Sequence, residues 1–244
     1  MRLKLLSCAV LYREVCTAAA RSPNVIDLEF LPQGLHGLGM ARMRERLQAA
    51  IDSVDAIAYE AVLLAWGLCG NGLIGLKAGA SKLVIPRAHD CITLFLGSKE
   101  RYLDYFFSHP GVFYRTSGWI ERINTKEGQD QLPRGSDEFN LDELIANYGE
   151  EDGQEIYDTL SGKAAGYSHM TFIEMGVEPS DSCERMTREE AAAKGWSFEK
   201  VRGDMSLIQR LADGPWDDED FLTVPPRSQV VSRYDKGIIS AQPA

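Results

Sequence analysis

A chain of 244 residues, 44% hydrophobic and 25% charged, has the composition of an ordinary globular domain, long enough to bury a real core and too apolar to stay disordered. Its formal net charge of −10 excludes nucleic acid and an anionic membrane surface as main partners, because both demand a basic footprint. Five cysteines, an odd number with no export signal, point to thiols kept reduced in the cytoplasm, where they serve as core filler, nucleophiles or metal ligands.

The opening MRLKLLSCAVLY carries two basic residues and an apolar stretch before Cys8, but only seven residues precede that cysteine. That is too short for the charged and apolar regions of a leader, so residues 2–10 are expected to form a first strand. No apolar run reaches the roughly 18 residues of a membrane helix. Tyr12 to Ala20 reads as a helix with Glu14 in its first turn, and Val25 to Leu31 alternates as a second strand. After the loop PQGLHGLG, Met43, Leu47, Ile51 and Val54 recur at helical spacing over Met40 to Val54. Ala61 to Trp66 is a third strand, Leu73 to Ala78 a short helix, and Lys82 to Arg87 a fourth strand. Such alternation of strand and helix predicts a mostly parallel, Rossmann-like α/β sheet with helices on both faces.

Cys91 to Ser108 reads as one helix, stopped by His109-Pro110-Gly111, and GVFYRT as a fifth strand turning at Gly118-Trp119. Gly128 to Phe139 is polar and rich in turn formers, and Leu141 to Ala164 is helical and acidic. Met170 to Met175 is another strand. A helix follows near Thr187 to Lys194, with Thr187 and Glu190 as a capping box. One further helix, Asp204 to Leu211, precedes proline-marked edge strands in PWDDEDFLTVPPRSQVV. The expected organisation is a single domain with a helical C-terminal elaboration: a core over 1–125, an insertion or helical elaboration over 126–165, and a C-terminal part over 166–244.

Three strand-like runs end in a cysteine: KLLSC at Cys8, AVLLAWGLC at Cys69 and KLVIPRAHDC at Cys91. Ligands gather at the carboxyl ends of parallel strands, so three thiolates arriving there make a soft-metal site with one open coordination position. On zinc that position would hold water or a substrate thiol, and on a 4Fe-4S iron-sulfur cluster it would leave one iron free. Cys91 also belongs to His89-Asp90-Cys91. A histidine and a cysteine two apart can ligate one ion across a turn, a spacing that also occurs in zinc enzymes activating a thiol for methyl transfer. The plainer alternative makes Asp90 the N-cap of the next helix and Cys91 part of its first turn. Gly70, Asn71 and Gly72 offer free N–H groups at a turn, fit for an anionic substrate. Arg87 is a candidate substrate clamp. Glu14 or Asp90 would orient His89, itself a further ligand or the acid/base. Ser98, Tyr102 and Trp119 are candidate pocket residues, and His36 sits in a loop that can reach in. Cys16, His109 and His169 read as structural, and Cys183 as a weaker fourth ligand.

The stretches SCAVLYRE, GLCGNGLIGL, PRAHDCITLFLGSKERY, PGVFYRTSGW and LADGPWDDEDFLTVPP together resemble the bacterial and archaeal family called domain of unknown function 1638. The likeness covers nearly the whole chain. It implies cysteines at Cys8, Cys69 and Cys91, with Glu14, Arg87, His89, Asp90, Ser98 and Tyr102 among the recurring positions; Cys16 and Cys183 fall outside the pattern. It also implies a setting beside corrinoid-dependent methyltransferases and one-carbon enzymes, without supplying a reaction.

The expectation is therefore a cytoplasmic metalloenzyme, a metal-dependent transferase or lyase, whose three-cysteine iron-sulfur or zinc centre activates a small substrate, with methyl or sulfur transfer as candidate chemistries. One alternative is a non-catalytic metal- or corrinoid-binding accessory protein for a methyltransferase or corrinoid protein. Another is a metal-free hydrolase or lyase with Cys91 as nucleophile and His89 as base.

Overall fold

The computed structural model describes residues 1–32, 35, 40–69, 71–123, 145, 149–150 and 166–244. The chain starts with β1 (Arg2–Cys8), a 3-10 turn (Ala9–Leu11), α1 (Tyr12–Arg21), β2 (Val25–Leu31), α2 (Met40–Asp52), β3 (Ala61–Ala65) and β4 (Lys82–Pro86). These strands form a mixed sheet in the order β2-β1-β3-β4-β8, where β8 (Phe221–Val224) is the antiparallel edge strand and the other neighbours pair in parallel. All five residues of β3 are buried, as are Leu83 to Pro86 of β4. A strand covered on both faces has no solvent side on which to place polar residues, which is why AVLLA and LVIP read as unbroken apolar runs. At the edge, β2 alternates, and Arg2–Asp27 and Lys4–Glu29 ion pairs cross from β1 at 2.9 and 2.8 Å.

The middle of the chain departs from the simple alternation. Leu73 to Ala78 is not a helix: turns run to Gly75, and Lys77 makes an isolated antiparallel bridge with Gln229. The N–H groups of Gly75 and Ala78 donate to Val230 and Ser228 of β9 (Ser228–Ser232), so this backbone is satisfied by a strand instead of by itself. The expected Cys91–Ser108 helix is two: α3 (Cys91–Leu96) and α4 (Lys99–Ser108). Gly97 ends α3 in a left-handed conformation, and Ser98 starts α4 by accepting the Arg101 N–H.

The fifth strand, β5 (Val112–Arg115), does not extend the first sheet. It pairs in parallel with β6 (His169–Glu174), and β6 with β7 (Ser197–Arg202), as a second, three-stranded sheet. Between them lie α5 (Ser117–Ile123) and α6 (Ser182–Ala193). α6 starts five residues before the expected cap, and Thr187 is an interior position whose hydroxyl donates to the Cys183 carbonyl. After β7 come α7 (Ser206–Asp213), β8 and the antiparallel hairpin β9-β10, with β10 over Ile239–Pro243. Residues 166–244 thus mix five strands with two helices. α7 packs on α1, β3 and β4 through Leu207, Ile208, Leu211 and Ala212. The expected Leu141–Ala164 helix and the 126–165 insertion fall almost wholly outside the described residues. Among the described residues no helix is long and apolar enough to cross a membrane.

Candidate functional site

Parallel strands deliver their following loops to one sheet edge, and here β1, β3 and β4 deliver Cys8, Cys69 and Cys91. All three line a single cavity of about 500 Å³, together with Trp66, Gly67, Asp90 and Ile92. Its opposite wall comes from β5 of the second sheet (Val112, Phe113, Tyr114, Arg115), from Trp119 on α5 and from Tyr167. The strand order places the connection reversal between β1 and β3, where the chain has gone one way to β2 and the other way to β3. Cys8 and Cys69 follow those two strands, at the crevice where open parallel sheets bind ligands.

Two close backbone approaches hold the cavity together. A Cβ on Gly67 would lie 2.4 Å from the Cα and carbonyl carbon of Asp90, so only glycine lets the loop after β3 touch the turn after β4. The Leu68 and Cys69 N–H groups then donate to the Ala88 and His89 carbonyls at 2.8 and 2.9 Å, tying Cys69 beside Cys91. Gly118 likewise lies against the Val10 carbonyl, which brings α5 and Trp119 over the turn following β1. Gly67→Ala should lower stability by about 3 kcal/mol, since neither backbone can move without breaking the other's pairing. Thermal unfolding checks this, and a wild-type melting temperature would mean that the two loops do not touch.

The thiols sit in apolar surroundings. Burial pushes the Cys8 thiol up to about 12. It does the same to Cys69, where the neighbouring Cys8 and Asp90 add to the effect. Cys91 is raised well above the ordinary thiol value by burial, then by Cys69, Asp90 and Cys8. Cys8 thus disfavours ionisation of both Cys69 and Cys91, and Cys69 that of Cys91. All five cysteines are free. Among the described residues no group of three His, Cys, Asp or Glu side chains is placed to hold a metal ion, so the three thiols share a cavity without forming a ligand set. A set of three sulfurs on one cavity fits a soft or borderline ion by its chemistry. Raised thiol pKa values oppose thiolate formation, which a metal ligand and a free nucleophile both need.

Asp90 caps α3, accepting the Ile92 and Thr93 N–H groups at 2.9 and 3.3 Å, as its plainer sequence reading had it. It also lines the cavity and takes the Tyr102 hydroxyl at 3.0 Å. Its pKa is raised, chiefly by burial. Tyr114, whose ionisation Asp90 also disfavours after burial, has a buried hydroxyl with no partner among the described residues.

The other candidates are placed elsewhere. Arg87 is only 7% exposed, and its guanidinium donates to the carbonyls of Asp218, Gly237 and Ile239. Through Nε and Nη1 it clasps the C-terminal segment, and it does not line the cavity. His89 is not part of the cavity lining; its ring stacks on Tyr102 at 6.0 Å. Glu14 is fully buried near Arg13, Glu121 and Glu178, away from the lining, and neither carboxylate oxygen has a hydrogen-bond partner among the described residues. Neither it nor Arg87 converges with His89 on the thiols. Ser98 is the α4 cap, Asn71 is exposed outside the cavity, and Gly72 packs on Met43. Gly70 and His36 lie outside the described residues. Sequence reasoning missed Trp66, Gly67, Phe113, Tyr114 and Tyr167. The Trp66-Gly67 pair at a strand end was a legible hint of close backbone approach, whereas the β5 aromatics carry no local sign of facing a cavity.

A family model described as a protein of unknown function (DUF1638) matches residues 30–212. Cys69 and Cys91 fall inside that stretch and Cys8 outside it. No curated protein and no solved structure matches the chain.

Proposed function

The chain belongs to the DUF1638 family of proteins of unknown function, and for this member we propose a metal centre on Cys8, Cys69 and Cys91 of a cytoplasmic enzyme that activates a small substrate in the adjoining cavity. The observation that carries the reading is the meeting of three desolvated thiols, from three separate strand ends, on one cavity wall. The parallel order β2-β1-β3-β4 supports a Rossmann-like assignment, in which right-handed crossovers put α1 and α2 on opposite faces.

Cys8, Cys69 and Cys91 would hold a zinc ion or iron-sulfur cluster, which would supply Lewis acidity toward a substrate sulfur or oxygen. The chain's own residues do the rest. The aromatic wall excludes water and orients the substrate, strengthening every polar contact inside. Asp90, held by the Tyr102 hydroxyl, takes or returns a proton at the carboxylate oxygen beside the thiols. Methyl or sulfur transfer suits a thiolate-bound ion facing an apolar chamber.

Anaerobic purification with elemental analysis and a visible spectrum tests this. Brown protein with about four irons per chain is the cluster outcome, and colourless protein with about one zinc the other. Protein that holds no metal after growth in metal-replete medium overturns the reading.

A second reading is favoured by one observation. On α4, Phe106 and Phe107 are 50% and 76% exposed, next to Tyr102, which reaches Asp90. An exposed aromatic face there suits an accessory protein that presents its ion to a corrinoid protein or methyltransferase. Turnover of a small substrate by the isolated chain separates the two.

A further inference from the structure

The cavity's chemistry also says what kind of molecule it takes. Its walls are rich in rings: Trp66 and the aromatic group of Phe113, Tyr114, Trp119 and Tyr167. Phe113 and Tyr167 meet edge to face at 5.4 Å, so the rings support one another as a fixed surface. Ring faces carry negative potential and attract cations that are too weakly hydrated to prefer water.

The charges agree with that. Of the two charged residues in the lining, Arg115 is neutralised: its Nε and Nη2 donate to the two Glu190 oxygens at 3.1 and 2.9 Å, and it stacks over Phe113 at 4.5 Å. Asp90 receives only neutral donors, from Ile92, Thr93 and Tyr102. The chamber thus presents aromatic rings and a carboxylate with no cationic hydrogen-bond donor. The buried Tyr114 hydroxyl, without a partner in the same wall, is a further group that a bound molecule would complete.

We propose that the cavity binds a small methylated ammonium ion, its methyl groups against the Trp66, Phe113 and Trp119 rings and its charge balanced by Asp90. An oxygen on the same molecule would accept the Tyr114 hydroxyl. A cavity of about 500 Å³ is within the range of small-molecule sites. Such an ion would be the substrate class of the proposed enzyme, so the inference rests on that chamber being its substrate site; it does not require the metal.

Calorimetric titration of the full chain with choline and with 3,3-dimethyl-1-butanol, which replaces the ammonium nitrogen by carbon, tests it. Choline is expected to bind at least about tenfold more tightly than the carbon analogue. Asp90→Asn keeps a good helix cap while removing the charge, and should weaken choline about tenfold with the alcohol unchanged. Trp119→Leu keeps apolar bulk and loses the ring's field, and should cost choline about fivefold. Equal affinity for the two probes, or no saturable choline binding, overturns the proposal. Metal content is read on the same preparation. An ion held without choline binding removes this inference and leaves the metal centre standing, whereas choline binding by a chain that holds no ion does the reverse.

Discussion

Replacing Cys8, Cys69 or Cys91 with serine, one at a time, should reduce metal content to background and lower the melting temperature of the metal-loaded protein. An ion present at about a thousand times its dissociation constant stabilises the folded chain by about 4 kcal/mol, because it binds only where the fold has assembled the ligands. For a chain of this length that corresponds to roughly 8–15 °C. Cys16→Ser and Cys183→Ser should leave both readings unchanged, since neither residue borders the cavity. In the stripped protein the three site variants should melt close to the stripped wild type. The buried thiols are neutral there, so exchanging sulfur for oxygen changes little charge. Chelator treatment that leaves the wild-type melting temperature untouched, or a site variant with full metal content, would sink the assignment.

Glu14→Gln should stabilise the protein at pH 8 by about 3 kcal/mol, or roughly 6–12 °C, and flatten its stability against pH. Burial pushes the Glu14 carboxyl from 4.5 up to about 7, with Glu178 and Glu121 raising it further against the opposing pull of its own backbone N–H and Arg13. Below pH 4.5 the side chain is protonated in both folded and unfolded chains and contributes no difference. Between 4.5 and 7 the unfolded chain releases the proton first, so native stability falls as pH rises through that window. Above 7 the loss is complete, because the folded chain then holds a buried carboxylate whose oxygens have no hydrogen-bond partner among the described residues. Glutamine has nearly the same shape and no charge to bury. The comparison is between variant and wild type at each pH, which cancels other groups such as Asp90. Equal slopes from pH 5 to 8 would show that Glu14 is better solvated than its surroundings imply. Metal content should not change in this variant, because Glu14 does not reach the thiols. A loss of metal would instead return Glu14 to the role of orienting the site.

Much of the first sheet was legible along the chain because its causes are local. β2 matches its alternating pattern over Val25 to Leu31, and β3 and β4 match their apolar runs, each bounded by turn residues. The cysteines stood at the strand ends for the same reason: a strand that stops at a turn delivers its next residues to the sheet edge. The errors arose where distant partners outbid local preference. Leu73 to Ala78 has helical spacing, yet its N–H groups find β9. GVFYRT has strand composition, and nothing in it tells which sheet it joins. Arg87 sits beside His89 in sequence, but its guanidinium is drawn to carbonyls of the C-terminal segment more than 130 residues away. Glu14 shows the converse, a residue in the first turn after Cys8 that the helix rotates away from the cavity.

The sequence by itself determined that three thiols end up at the carboxyl edge of a parallel sheet, because hydrophobic runs and turn residues set strand ends locally. Only the tertiary structure decided what faces them. The second sheet and α5 close over that edge with Phe113, Tyr114 and Trp119, and Arg87, Glu14 and His89 are kept out of the lining. The physical reason is that side-chain surroundings depend on long-range packing and on where buried donors and acceptors find partners, and neither is written in residue spacing.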